Sequence, residues 1–179
     1  MSAAGFDPAR IFQVLSENSV DYVVIGALAA VLQGAGLTMT LDVDVTAATD
    51  TANRERLAAA LKDMDAKLRL PDPDDAVEIP LDARMLASAS VMTFVTRFGP
   101  FDVLFTPAGA PPYEELRARA TEVTRFGVSI RVADVEDVVA MKRATGREKD
   151  AAHLTTLVEF LMDRPATAQE GQEGTKDDG

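Results

Sequence analysis

Asp21–Thr46, reading DYVVIGALAAVLQGAGLTMTLDVDVT, is the stretch on which the fold turns. It holds an apolar run from Tyr22 to Ile25, a glycine at position 26, a small-residue segment suited to a short helix over Ala27–Leu32, and a second strand over Thr40–Thr46. The first run is continuously apolar and β-branched, which predicts a strand buried on both faces. In the second, side chains alternate between faces. Leu41, Val43 and Val45 are therefore expected on one side, and Asp42 and Asp44 together on the other, with α-carbons roughly 6.5–7 Å apart. Two carboxylates held side by side repel each other and lose hydration, unless a cation sits between them. A divalent metal site is one reading; a half-exposed strand with a solvated acidic face is the other. A strand that feeds a helix through Gly26 also leaves free backbone N–H groups and a positive helix end where a phosphate could sit, although such junctions also arise from packing alone.

The bulk properties permit either reading. At 179 residues and 47% hydrophobic content the chain is expected to form one domain with a sizeable core. The N-terminal segment carries Asp7 before any apolar stretch, and no apolar window approaches about 18 residues, so a soluble, cytoplasmic protein is expected. The absence of cysteine excludes disulfides and thiolate zinc sites, and a single histidine, His153, excludes a multi-histidine cage. A formal charge of −11 argues against a broad grip on duplex nucleic acid, whose affinity comes from Lys and Arg neutralising phosphates. Residues 165–179 read as a disordered acidic tail with net charge −3, leaving a folded part over 1–164 that is still acidic.

In chain order, Asp7 and Pro8 predict the start of a helix running to Glu17, with Ile11, Phe12, Val14 and Leu15 on its apolar face. Thr51–Ala66 reads as an amphipathic helix, and Leu70–Pro80, with three prolines and a run of acids, as an exposed loop. Val91–Arg97 and Phe101–Phe105 read as a hairpin whose second arm, FDVLF, buries Asp102 among large apolar residues. Such a carboxylate should be paired, protonated or bound to metal, so Asp102 is the natural third member of the aspartate set. Tyr113–Ala120 suits a helix, and Glu122–Val132 a hairpin turning at Phe126-Gly127. Asp134 caps a further helix with Asp137 at the capping-box position; Lys142 and Arg143 close it, Gly146 breaks it, and Arg147-Glu148-Lys149-Asp150 leads into a last helix. His153 lies one helical turn beyond Asp150, most simply as an ordinary helix-surface residue. Arg117, Arg119, Arg125 and Arg131 are candidates for a local basic patch.

Gly26-Ala27, then Thr40-x-Asp42-x-Asp44, then the strand aspartate of FDVLF, then VEDVVAMKRATGREKD, together resemble the nucleotidyltransferase superfamily of the DNA polymerase β type. The likeness is greatest to small prokaryotic members, the minimal nucleotidyltransferases and abortive-infection type toxins of toxin–antitoxin systems. It implies an α+β (α/β) fold: a palm with a mixed sheet flanked by helices over about 20–110, and a helical C-terminal part over about 134–162. It also implies Mg²⁺- or Mn²⁺-dependent transfer of a nucleoside monophosphate from a nucleoside triphosphate to a hydroxyl of RNA, such as a transfer RNA 3′ end, or of protein. In that scheme Asp42, Asp44 and Asp102 hold metal, and Lys142 joins them in catalysis. Gly26, Ala27, Thr40, Arg147 and Lys149 bind nucleotide. A cognate toxin or antitoxin partner would accompany such a protein; a regulatory binding module of the same fold is the alternative. The chain departs from the pattern at Ala27, where a second glycine or a serine is common, at Thr38, where arginine is common, and at Gln33, where histidine is common.

Overall fold

The computed structural model describes residues 5–38, 40–71 and 76–164; the tail from Pro165 and the centre of the acidic loop lie outside the described residues. In chain order the elements are α1 (Pro8–Glu17), β1 (Tyr22–Ile25), α2 (Gly26–Leu32), β2 (Val43–Ala47), α3 (Thr51–Asp63), β3 (Lys67–Arg69), β4 (Ala76–Val77) and α4 (Ala83–Leu86). These are followed by β5 (Val91–Thr96), β6 (Gly99–Leu104), α5 (Tyr113–Arg119), β7 (Thr121–Arg125), β8 (Val128–Val132) and α6 (Val135–Thr145). A 3-10 turn, Glu148–Asp150, then leads into α7 (Ala151–Asp163). The strands form one mixed sheet in the order β4-β3-β5-β6-β2-β1-β8-β7. This is the expected mixed α/β architecture, and among the described residues no helix is long and apolar enough to cross a membrane.

Local chemistry sets the element ends. Asp7 accepts a hydrogen bond from Arg10 N at 3.1 Å and Pro8 occupies the first turn, so α1 starts where its capping residue stands. Asp50 does the same for α3, accepting from Asn53 N at 2.9 Å. Gly146 ends α6 in the left-handed conformation, φ +59°, which a glycine adopts without a Cβ clash. All of β1 is buried, as its unbroken apolar run predicts. In β5 and β6 burial alternates: Met92, Phe94, Phe101 and Val103 enter the core, where each fully buried phenylalanine contributes about 1.5–3 kcal/mol.

Several boundaries differ from the sequence expectation. β2 begins at Val43 rather than Thr40, because the chain bends at Leu41 and Asp42 and the Thr40 hydroxyl bonds to the Asp42 carboxylate instead of extending the ladder. Leu41 consequently stands 70% exposed and leaves the core face. α3 stops at Asp63; Asp65 takes a positive φ of 51° and turns the chain into β3, a strand too short to show a period. Within the stretch expected to be loop, Ala76–Val77 pairs with β3. Asp137 does not complete a capping box: Asp134 caps α6 through Glu136 N at 2.9 Å, while the Asp137 carboxylate bonds to Arg119 at 2.6 Å.

Candidate active site

Register brings the aspartates together. β2 runs parallel to β6 with Asp44 opposite Asp102, and antiparallel to β1 with Ile25 opposite Asp44. Paired residues project on the same face, so Asp44 and Asp102 stand side by side with the Gly26 turn beside them. Asp42, Asp44 and Asp102 line one open cleft of about 630 Å³ together with Gly26, Ala27 and Thr40. Its other wall carries Lys142 from α6, Arg147 from just before the 3-10 turn, and Lys149 and Asp150 from the turn itself. Every residue singled out from sequence for the site therefore lines this cleft.

Gly26 is required there for a reason the sequence does not reveal. Its φ is +70°, and a Cβ built on it would overlap the Asp44 carboxylate. A side chain at position 26 would therefore require the Asp44 carboxylate to turn aside, on a backbone that glycine adopts without strain.

The carboxylates sit in an unfavourable electrostatic field. Burial, then the charges of Asp42 and Asp102, push the Asp44 carboxyl up to about 7, with Lys142 and Arg147 pulling it back. Burial also raises Asp102, against the charge of Arg69 and a hydrogen bond from Thr93. Asp102 Oδ1 is buried with no hydrogen-bond partner, while Oδ2 lies 3.8 Å from the Arg69 guanidinium, too long for a hydrogen bond. A buried, unpaired carboxylate oxygen among like charges is the donor type a hard cation such as Mg²⁺ takes. Among the described residues, however, no three His, Asp or Glu side chains form a ready-made cage: Asp42 is turned to Thr40 and Asp102 leans toward Arg69. The donor set fits such an ion in chemistry, and side-chain rotation would have to gather it.

Lys142 is not a free cation. Its ammonium is 2.6 Å from Asp150 Oδ1, with the two side chains only 12% and 9% exposed. Burial alone would raise the Asp150 carboxyl, but the hydrogen bond and charge of Lys142, with Arg147 and Lys149, outweigh it and hold the group below the usual carboxylate range. Arg147 and Lys149 are exposed at the rim.

Sequence reasoning did not select Arg69 and Thr93, both in the wall beside Asp102. Arg69 lies on the unforeseen β3, where Lys67-Leu68-Arg69 shows only a fragment of period-2 alternation. His153 also lines the cleft, its Nδ1 buried without a partner, rather than standing on an ordinary helix surface. Gln33 is absent from the lining: its amide donates to Ala29 O at 3.0 Å and Ala133 O at 2.7 Å, tying α2 to the start of α6, so its departure from histidine removes nothing from the cleft wall. The expected basic patch is largely neutralised: Arg117 and Arg131 lie 3.1 and 3.7 Å from Asp21 Oδ1, and Arg119 pairs with Asp137 and Glu115.

The fold is that of solved nucleotidyltransferase structures of the polymerase-β-like kind. Among solved structures the chain is similar to a Thermotoga maritima protein provisionally assigned as a nucleotidyltransferase, with a TM-score of 0.52 and 17% identity over 87% of this chain and 90% of that one. It is also similar to the antibiotic-resistance factor ANT(2″)-Ia. A complex of that protein with adenylyl-2″-tobramycin gives a TM-score of 0.53 and 14% identity, covering 84% of this chain and 85% of that one. Its solution structure gives 0.53 and 14%, covering 85% and 80%. At these identities the likeness establishes the fold. No family model and no curated protein matches the sequence.

Proposed function

We propose that this protein is a nucleotidyltransferase, moving a nucleoside monophosphate from a nucleoside triphosphate to an acceptor hydroxyl. The observation that carries this reading is the pairing of Asp44 with Asp102 across β2 and β6, next to Asp42 and the Gly26 turn, in a cleft whose opposite wall is cationic. In the reaction the acceptor oxygen bonds to the α-phosphorus, the bond to the β-phosphate oxygen breaks, and pyrophosphate leaves. Asp102, with one buried oxygen unpaired, takes the proton of the acceptor hydroxyl. Lys142, held in place by Asp150, and Arg147 and Lys149 at the rim offset the charge that develops on the leaving pyrophosphate. Gly26 and Ala27 present backbone N–H groups to the phosphates, and Thr40 fixes the Asp42 carboxylate. Asp42, Asp44 and Asp102 would hold Mg²⁺ or Mn²⁺, which when bound supplies charge neutralisation at the triphosphate.

RNA or protein hydroxyls are the acceptors we favour, with a toxin–antitoxin role as the biological setting. A second reading, a small-molecule acceptor, draws on the fold shared with ANT(2″)-Ia, which is seen with adenylyl-2″-tobramycin. The test is transfer of α-phosphate label from each of the four nucleoside triphosphates to RNA, protein and tobramycin with Mg²⁺ or Mn²⁺. Label should appear in an acceptor with wild type and vanish with Asp44→Asn. No transfer to any acceptor, together with no metal-dependent nucleotide binding, would reduce the protein to a binding module of this fold.

A further inference from the structure

Beside Asp102 the sheet has an uncovered face. The antiparallel register of β5 and β6 sets Val91 opposite Leu104 and Thr93 opposite Asp102, so these four side chains share one face. The residues between them, Met92, Phe94, Phe101 and Val103, fill the core on the other face. An antiparallel pair open to water on one side normally carries polar residues there, yet Val91 is 52% exposed. Val91, Thr93 and Leu104 line the same cleft as the aspartates, Val91 and Leu104 forming an apolar ledge beside the Thr93–Asp102 pair.

The cations of the cleft are divided about that ledge. Lys142 comes from α6, and Arg147 and Lys149 from the 3-10 turn and the residue before it, whereas Arg69 comes from β3, two strands beyond β6 and thus about 10 Å from it. The Arg69 side chain reaches back over β5 to the carboxylate of Asp102, and remains 36% exposed. We propose that the acceptor lies flat on the Val91–Leu104 ledge, and that Arg69 selects an acceptor whose reacting hydroxyl is flanked by a phosphate, as at the end of a single-stranded nucleic acid. This rests on the nucleotidyl-transfer reading above. The ledge suits the face of a ring. The guanidinium's planar fork suits a phosphate better than the single distant carboxylate oxygen it now faces. A phosphate that engages Arg69 also draws the guanidinium away from the Asp102 carboxylate. A polycationic acceptor would set ammonium groups against Arg69, and a neutral hydroxyl side chain would leave it without a role.

The test is fluorescence anisotropy at fixed salt, using a short single-stranded oligoribonucleotide with a free 3′ hydroxyl and its twin with a neutral methylphosphonate at the terminal linkage. Arg69→Gln should weaken binding of the normal oligonucleotide about tenfold, the loss of one charge-assisted contact. The methylphosphonate should cost wild type the same factor and cost Arg69→Gln nothing further, while Arg69→Lys recovers part of the loss. Nucleoside triphosphate binding should be unchanged in both variants, and unchanged thermal unfolding shows that they fold. Equal binding by wild type and Arg69→Gln, or losses that multiply when both changes are combined, would overturn the proposal. So would tobramycin or a serine peptide displacing the oligonucleotide. If the oligonucleotide pattern holds but no triphosphate binds, the transfer reading fails and the Arg69 site stands.

Discussion

Gly26→Ala separates the role of the phosphate turn from ordinary backbone strain. At φ +70° any residue with a Cβ costs about 1–2 kcal/mol relative to glycine. Here the new methyl also meets the Asp44 carboxylate, and making room in a packed site adds about 1–3 kcal/mol more. Gly127 provides the control: its φ is +77°, but no atom lies within 4 Å of the Cβ position, so Gly127→Ala should cost only the first amount. Urea denaturation should therefore rank Gly26→Ala as the more damaging change by about 1–3 kcal/mol. The larger contrast is functional. Displacing Asp44 by about 1 Å should lower label transfer by about 100-fold under conditions where the variant is still folded, while Gly127→Ala keeps its rate. Equal stability losses, or a Gly26→Ala protein that transfers at the wild-type rate, would refute the claim that this glycine exists to make room for the carboxylate.

Asp44→Asn removes one of three crowded acids, so it should stabilise the cation-free protein by about 1–2 kcal/mol near pH 8 while abolishing transfer. Because burial and the neighbouring Asp42 and Asp102 charges push the Asp44 carboxyl up to about 7 in the fold, the folded state holds a proton that the unfolded chain releases. Its contribution to stability is then greatest below about pH 4 and falls until about pH 7. Denaturation midpoints measured against pH in a chelator should show that slope in wild type and a shallower one in Asp44→Asn, where Asp102 still contributes. Asp150→Ala strands the Lys142 ammonium, 12% exposed, without its partner and should cost about 3 kcal/mol in urea titrations. The depressed Asp150 carboxyl makes that pair's contribution one that is fully present above the usual carboxylate range and lost as pH falls below that range through the lowered folded-state value. Tyr113→Phe removes the hydroxyl that donates to Asp21 at 3.0 Å, at the end of β1 away from Gly26; it should lower stability by about 1 kcal/mol and leave transfer unchanged.

What could be read from sequence follows the range of the interactions involved. α1 was legible to the residue because Asp7, Pro8 and its apolar face are all local signals. Asp44 was legible for the same reason, since its alternation with Val43 and Val45 lies within one strand, whereas Asp42 reaches the cleft from the bend before β2 rather than from the strand expected to carry it. The meeting of Asp44 with Asp102 depends on a parallel pairing between β2 and β6, which leaves no mark in either segment; only the unusual acid in FDVLF hinted at it. β3 and β4 were illegible because strands of three and two residues are set by their neighbours rather than by their own pattern, and Arg69 was missed with them. The place of Gln33 outside the cleft and the pairing of the arginines were hidden for a related reason. A polar side chain announces its chemistry but not its partner, and Ala133, Asp21 and Asp137 become partners only in the fold.

The central claim is that Asp42, Asp44 and Asp102, now turned partly to Thr40 and Arg69, converge on a divalent cation when a nucleoside triphosphate is present. Electron paramagnetic resonance of Mn²⁺ titrated with a non-hydrolysable nucleoside triphosphate measures this directly. Wild type should immobilise Mn²⁺ far more tightly than the nucleotide alone, and Asp44→Asn and Asp102→Asn should each lose that tight binding while Asp137→Asn keeps it. Mn²⁺ held equally by wild type and Asp44→Asn would contradict the account.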